Sequence, residues 1–240
     1  INEVINGWLD PEGTPWNADA TLYLLCGGTG GDLRRTLGIA TTEDSMGALT
    51  SGKVLEMDVG VARFRDRDGA DRQRFFVNVT SLGLSALVDE HVGRWSALGA
   101  RLAYTAATAE ALLAWRNPRI SLEIQGANGA FQACLPAAVV AIANGQYFGG
   151  GMRIAPDARV DDGLFHITVL GDLRRREILG LAQAIRTGDH LAHRAVMSRA
   201  GTTVIATSDE VVRLDIDGEP MGRLPAQFEV IPGAIHVGVP

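Results

Sequence analysis

Along most of this 240-residue chain, apolar and polar positions either alternate in twos or collect into short apolar runs. These are the patterns that half-buried and fully buried strands leave in a sequence. Residues 54–64, 72–80, 120–124, 131–143, 164–170, 203–206, 211–216, 227–231 and 234–239 all read this way, with turn residues between them, and predict an antiparallel β-rich region. Helical spacing breaks in at three places. Ile1, Val4, Ile5 and Trp8 share one side of a short helix over 1–9. Leu98, Leu102, Thr105, Ala109, Leu112 and Leu113 mark a broad face of a helix over 98–115, ended at Asn117-Pro118 because proline brings no N–H. A third helix over 172–187 opens on Asp172 as its cap, turns Ile178, Leu179, Leu181, Ala182 and Ile185 inward, and stops at Gly188.

Two gaps in the pattern carry candidate chemistry. Between the apolar runs 139–143 and 164–170 lie 20 residues rich in Gly, Pro, Asn and Asp that make no hydrophobic face of their own. Long unstructured connections in compact domains are usually functional or disordered. At the centre is Asp161-Asp162-Gly163, which reads first as a turn and alternatively as hard oxygen ligands for a divalent cation, Mg2+ above all. Local spacing does not choose. The second gap follows the apolar run 20–25, a candidate buried strand, where Cys26-Gly-Gly-Thr-Gly-Gly-Asp32 leads into a helix. Backbone N–H groups in such a turn can cradle phosphate, with Thr29 and Asp32 the side chains that would matter. It also reads as a plain glycine turn capped by Asp32, and it is neither a Walker loop nor a clean dinucleotide fingerprint.

Composition narrows the classes. With 28 acidic and 22 basic residues the net charge is −6, which disfavours nonspecific nucleic-acid binding. No apolar run approaches the ~20 residues of a membrane span, so the expectation is a cytoplasmic protein that touches a membrane without crossing it. Cys26 and Cys134 lie far apart in apolar surroundings and are expected as small buried hydrophobes. The mixed charges from Arg65 to Arg72 read as a solvated hairpin tip. Arg174-Arg175-Arg176 reads as a solvated helix face, with acidic lipid headgroups as the alternative. His190 and His193 lack the glutamate of a zinc-peptidase helix and are not expected to hold metal. Glu219, in Asp217-Gly218-Glu219-Pro220, is a turn residue or a general base if it faces a pocket.

Taken in order, the motifs resemble the diacylglycerol-kinase catalytic family: bacterial diacylglycerol kinases, YegS-like lipid kinases and, more distantly, sphingosine kinases. The matching pieces are Ile1-Asn-Glu-Val-Ile-Asn-Gly7, Gly28-Thr-Gly-Gly-Asp-Leu-Arg34, Met57-Asp58, Asn78-Val-Thr-Ser-Leu-Gly83, Asn144-Gly-Gln-Tyr-Phe-Gly-Gly-Gly-Met152, Ala155-Pro-Asp-Ala-Arg-Val-Asp-Asp-Gly-Leu-Phe165 and Asp217-Gly-Glu219. The likeness covers essentially the whole chain. It implies an α/β + β fold. Residues 1–50 would be the C-terminal part of an NAD-kinase-like α/β nucleotide-binding domain. Residues 51–240 would form an antiparallel β-sandwich-like domain with helices, whose last strand returns to the first domain.

The resemblance further implies ATP- and Mg2+-dependent phosphorylation of the hydroxyl of a diacylglycerol-like lipid at the membrane periphery, without nucleic acid, and it leaves a homodimer open. Ile1, Asn2, Glu3 and Thr29 would touch nucleotide phosphates, and Asp32 and Asp58 would belong to the acidic active-site network. Asp162, with the backbone carbonyls of Arg159 and Leu164, would hold Mg2+, and Glu219 would be the general base. The family's Gly-Gly-Asp-Gly-Thr signature falls just before Ile1, outside this sequence, so the chain alone is expected to have little or no kinase activity. The alternatives are a noncatalytic lipid-binding homologue or fragment, and a kinase of the same family acting on sphingoid base or phosphatidylglycerol. Gly31, Cys26 and His166 depart from the Asn, Pro and Asp frequent in the family, and none of the three removes a carboxylate named above.

Overall fold

The computed structural model describes residues 1–27, 31–126 and 129–240. In order these form α1 (Asn2–Trp8), β1 (Thr21–Leu22), α2 (Asp32–Thr36), α3 (Thr42–Ser51), β2 (Val54–Arg65), β3 (Asp71–Phe76), β4 (Val79–Gly83) and α4 (Leu84–Val92). They continue with α5 (Ala100–Ala114), β5 (Arg119–Gly126), β6 (Gly129–Pro136), β7 (Val139–Ala143), β8 (Phe165–Leu170), α6 (Arg175–Thr187), β9 (Val196–Gly201), β10 (Thr203–Thr207), β11 (Arg213–Ile216) and β12 (Glu219–Gly238). The sheet runs β6-β5-β10-β12-β11-β4-β7-β8-β9, with β2 and β1 joined to it through β12 and β3 through β2.

β12 organises the whole. Its 20 residues pair antiparallel with β11, β10 and β2, and parallel with β1 at His236 and Val237. Shifts in register between Arg223 and Ala226, and between Ile231 and Ile235, bend the strand along its course as bulges do. The enclosed core centres on Phe76, whose ring stacks on Phe165 at 5.4 Å and meets Phe228 edge-on at 6.4 Å. Gly60, paired with Phe76 across β2 and β3, leaves room for that ring, because a Cβ there would run into it. Gly60→Ala is therefore expected to cost about 1–3 kcal/mol, read by urea unfolding; a variant equal in stability to the parent would show that the ring moves freely.

A second core lies where α4, α5 and α6 cover β4, β7 and β8, and a third holds Ile5, Leu9, Leu33 and Ile39 against Met57, Val59 and Val237. The helices depart from their predicted faces. In α5 the buried stripe is Ala103, Ala107, Ala111 and Leu112, while Leu102 and Leu113 point outward. Small residues let this helix lie close on its neighbours, so of the predicted face Leu112 turns inward and Leu102 and Leu113 do not. α1 buries Ile5 and Leu9 and leaves Ile1 and Val4 exposed. α6 begins at Arg175 with Arg174 as its cap residue, whose N–H donates to Glu177 at 2.8 Å. Asp172 instead accepts from Asn117, and Leu179 and Ala182 are exposed.

The strands differ in their breaks. The run 72–80 is two strands interrupted at Val77 and Asn78, 131–143 is β6 and β7, and 227–239 belongs to the one long β12. β9 was not predicted, and the apolar run 20–25 pairs only at Thr21 and Leu22. Both cysteines are free, but Cys134 is exposed, which corrects the expectation that it is buried. His190 is buried against the Ile154 carbonyl at 3.0 Å, and burial lowers its pKa. Among the described residues, no helix is long and apolar enough to cross a membrane.

Candidate active site

Asp58 sits on β2 beside the bulge in β12 and is only 1% exposed. Its carboxylate accepts from the Gly163 N–H at 2.7 Å and the Gly233 N–H at 2.8 Å, while its own N–H donates to the Val160 carbonyl at 2.7 Å. One buried side chain thus ties the 158–164 loop to β12. Burial pushes the Asp58 pKa up, the two N–H donors pull it down, and Asp162 and Asp161 nearby raise it further.

The rest of the loop is fastened from the other side. The Asn144 amide donates to the carbonyls of Asp58 and Val77 at 2.9 and 3.0 Å, and Asn78 donates to the Tyr147 carbonyl at 2.9 Å. Thr36 at the end of α2 accepts from the Gln146 N–H at 3.0 Å, and Asp32 accepts from the Gly150 N–H at 2.8 Å. Gly31, not Asp32, is the cap residue of α2. Asp32 is instead a cross-link between α2 and the glycine run 149–151, which corrects its reading as a cap.

Asp217 is the residue that sequence reasoning passed over. Its carboxylate gathers the N–H groups of Val77, Asn78 and Val79 at 3.1, 3.0 and 3.2 Å and the Asn2 amide at 2.9 Å. Burial raises its pKa against the pull of those donors. It is also the one non-glycine residue with positive φ, +51°, among the described residues. Asp tolerates that conformation better than most residues. An Asp-Gly pair between two strands was the available signal, but it points only to a turn. The tightness of this turn presents Glu219 at the start of β12, exposed.

Strand register places these groups on one rim. Val79 pairs with Ala143, Ala143 with His166, and Ile216 with both Thr80 and Glu219, so the ends of β4, β7, β8, β11 and β12 coincide. From β12, which carries Glu219, to β8 is four strand spacings, ~19 Å. Asn78 and Asn144 lie between, and the side-chain oxygens of both are buried without a hydrogen-bond partner among the described residues. Of the proposed nucleotide contacts, Ile1 and Glu3 are exposed, whereas Asn2 is buried and bonds Phe75, Asp217, Asn6 and Arg74. Thr29 lies outside the described residues.

A family model described as the YegS C-terminal NAD kinase beta sandwich-like domain matches residues 78–239, two thirds of the chain. The chain belongs to this YegS and bacterial diacylglycerol kinase family. Among relatives of this family, the diacylglycerol kinase of Bacillus subtilis is 29% identical over 241 residues, covering 100% of this chain and 74% of that protein. A protein of Stenotrophomonas maltophilia named "Probable lipid kinase YegS-like" is 30% identical over 228 residues, covering 93% of this chain and 71% of its own. The crystal structure of a diacylglycerol kinase from Bacillus anthracis superposes with a TM-score of 0.60 at 19% identity, covering 92% of this chain and 67% of that one. At that identity it speaks for the fold alone, and the expected fold class stands with it.

For this YegS-family chain the fit of a divalent cation can be judged from the donors present. Asp162 accepts from the Leu164 N–H at 3.0 Å, and its other oxygen lies 3.6 Å from His166 Nε2, which has no hydrogen-bond partner among the described residues. The carbonyls of Arg159 and Leu164 accept no hydrogen bond among the described residues. Asp161 is held by Arg159 at 3.1 and 3.2 Å. One carboxylate, two free carbonyls and water are the hard oxygen set that Mg2+ accepts. The residues fit. A cleft of about 440 Å3, lined by Thr36, Gln146, Arg159 and Asp161 among others, opens beside them.

Proposed function

We propose that this chain is the acceptor-side part of a lipid kinase that moves the terminal phosphoryl group of ATP to the hydroxyl of a diacylglycerol-like lipid. What supports the reading most is the gathering of Asp58, Asn78, Asn144, Asp162 and Glu219 on one rim in a member of this family. Transfer from a charged triphosphate to a neutral alcohol needs positioning, charge cancellation and a proton acceptor.

Glu219 takes the hydroxyl proton as the oxygen attacks phosphorus. Asp58 and Asn144 hold the 158–164 loop in place, and Asp32 holds the glycine run that faces α2. Asp162 with the Arg159 and Leu164 carbonyls would hold Mg2+, which when bound offsets phosphate charge. Glu3 and Thr29 are the side chains proposed on the nucleotide side. The lipid tails rest on apolar walls of the β-rich region, at a membrane that the protein meets from one side.

Glu219→Gln is expected to lower phosphoryl transfer by roughly 10²- to 10⁴-fold, the usual contribution of a general base. Its thermal melting should stay unchanged, because the side chain is exposed and unpaired among the described residues. Transfer of label from ATP to a diacylglycerol by the full-length protein is the measurement, and a Gln variant at the parental rate removes Glu219 as the base.

A further inference from the structure

Arg213 on β11 is registered directly against Arg223 on β12, and Arg223 directly against Arg65 on β2. Residues paired in this way project from the same face, and like charges directly opposite one another destabilise a sheet. Three arginines therefore stand in a row where packing alone gives no reason for them. Arg67, at the tip of the β2–β3 hairpin, adds a fourth charge beside the row.

The neighbouring acids do not balance them. Arg65 is answered by Asp71 at 3.6 Å. Arg213 and Arg67 share the single carboxylate of Glu90 on α4, the first in direct contact and the second at 3.8 Å. Arg223 has no hydrogen-bond or ion-pair partner among the described residues. Arg67, Arg213, Arg223 and Glu90 line a cleft of about 150 Å3 that also touches Pro220, the residue after Glu219. A space of that size admits a phosphate group with a few waters.

The geometry points to a phosphate-binding site formed by Arg67, Arg213 and Arg223, in a cleft that reaches Pro220 at the start of β12. Guanidinium groups suit phosphate because their N–H forks match its oxygens. A phosphate bound there would supply the charge that Glu90 alone does not. The ligand is either free phosphate or the phosphate of a lipid headgroup brought to the rim. In the second case the assignment rests on the lipid-kinase reading and extends it to an anionic lipid beside the acceptor hydroxyl.

The test is calorimetric titration of the full-length protein with inorganic phosphate, dihexanoyl phosphatidic acid and dihexanoylglycerol. Arg223→Gln should weaken both phosphate-bearing probes about tenfold, as loss of a charge-assisted contact does, and leave dihexanoylglycerol unchanged. Glu90→Gln should strengthen both. Phosphatidic acid binding well above inorganic phosphate identifies a headgroup; equal binding identifies free phosphate. If neither probe binds the parent, or Arg223→Gln binds both as the parent does, the site is overturned. These titrations need no turnover, so they stand apart from the Glu219→Gln assay: loss of the site would leave the kinase reading intact, and the reverse.

Discussion

At pH 8 the Asp89→Asn protein is expected to be more stable than its parent by roughly 2–4 kcal/mol, and the gap is expected to narrow steadily as the pH falls toward 4. The cause is a buried polar cluster behind the rim. Asp215 on β11 is 3% exposed; its carboxylate takes the Ser81 hydroxyl in a short hydrogen bond and the Gly218 N–H at 3.2 Å. Ser81 in turn meets Ser85 on α4. Asp89, one turn further along α4, bonds Tyr104 of α5. Burial pushes Asp89 up from the ordinary 3.8 to about 7, and burial together with Asp89 pushes Asp215 well above the usual range. Tyr104 is raised as well, by burial first and then by Asp89, Asp215 and Asp32. Desolvation of the charged forms holds both carboxyls above their usual range, and at Asp215 the neighbouring Asp89 adds to it.

The direction of the pH effect follows from the raised value. A carboxyl that binds its proton more tightly in the fold than in the unfolded chain adds stability below about pH 4, and that stability is lost as the pH rises through about 7. Asparagine carries no proton to lose. His190 works in the opposite sense: its lowered pKa destabilises the fold as the pH falls below about 6.5. The difference between parent and Asp89→Asn cancels that contribution, so urea unfolding of both proteins from pH 5 to 8 isolates the carboxyl. A gap that stays constant across that range would mean that Asp89 titrates normally.

The second large effect is expected at Asp217. Asp217→Ala removes the acceptor of three backbone N–H groups and of the Asn2 amide, and leaves alanine in a left-handed conformation that it tolerates less well than aspartate. Unsatisfied buried donors cost about 1–3 kcal/mol each, and with partial rescue by water a total loss of about 3–5 kcal/mol is expected. For a chain of this size that lowers the melting temperature by roughly 10 °C or more. Asp217→Asn tolerates the backbone and keeps one acceptor oxygen, so it should retain about half. Because Asn2 anchors α1, Asn2→Ala and Asp217→Ala should be non-additive in a double-mutant cycle. An alanine variant that melts with the parent would show that water serves those donors equally well.

Asp217 also explains where the sequence stopped being informative. Local alternation made one strand of 72–80, because nothing near Val77 and Asn78 signals a break. Their N–H groups turn away from the sheet to a carboxylate some 140 residues later. The same limit hides the double duty of Asp58, whose partners Gly163 and Gly233 are far away in sequence. What short-range pattern did carry was the strand content, the interrupted stretch between β7 and β8, and the end of α6 at a left-handed Gly188. It failed in part on α5, where Leu112 is buried as read but Leu102 and Leu113 face outward and alanines fill the rest of the inner stripe. Motif order reached further than periodicity did, because it records residues by position rather than by the contacts they make.

The long strand β12 has a consequence for biosynthesis. Every strand it joins, β1, β2, β10 and β11, leaves the ribosome before it does. Until residues 219–238 emerge, those four edges lack their common neighbour, and pairings that span most of the chain are slow to close. The nascent polypeptide must therefore be kept from aggregating through these open edges until nearly all of this sequence has been translated.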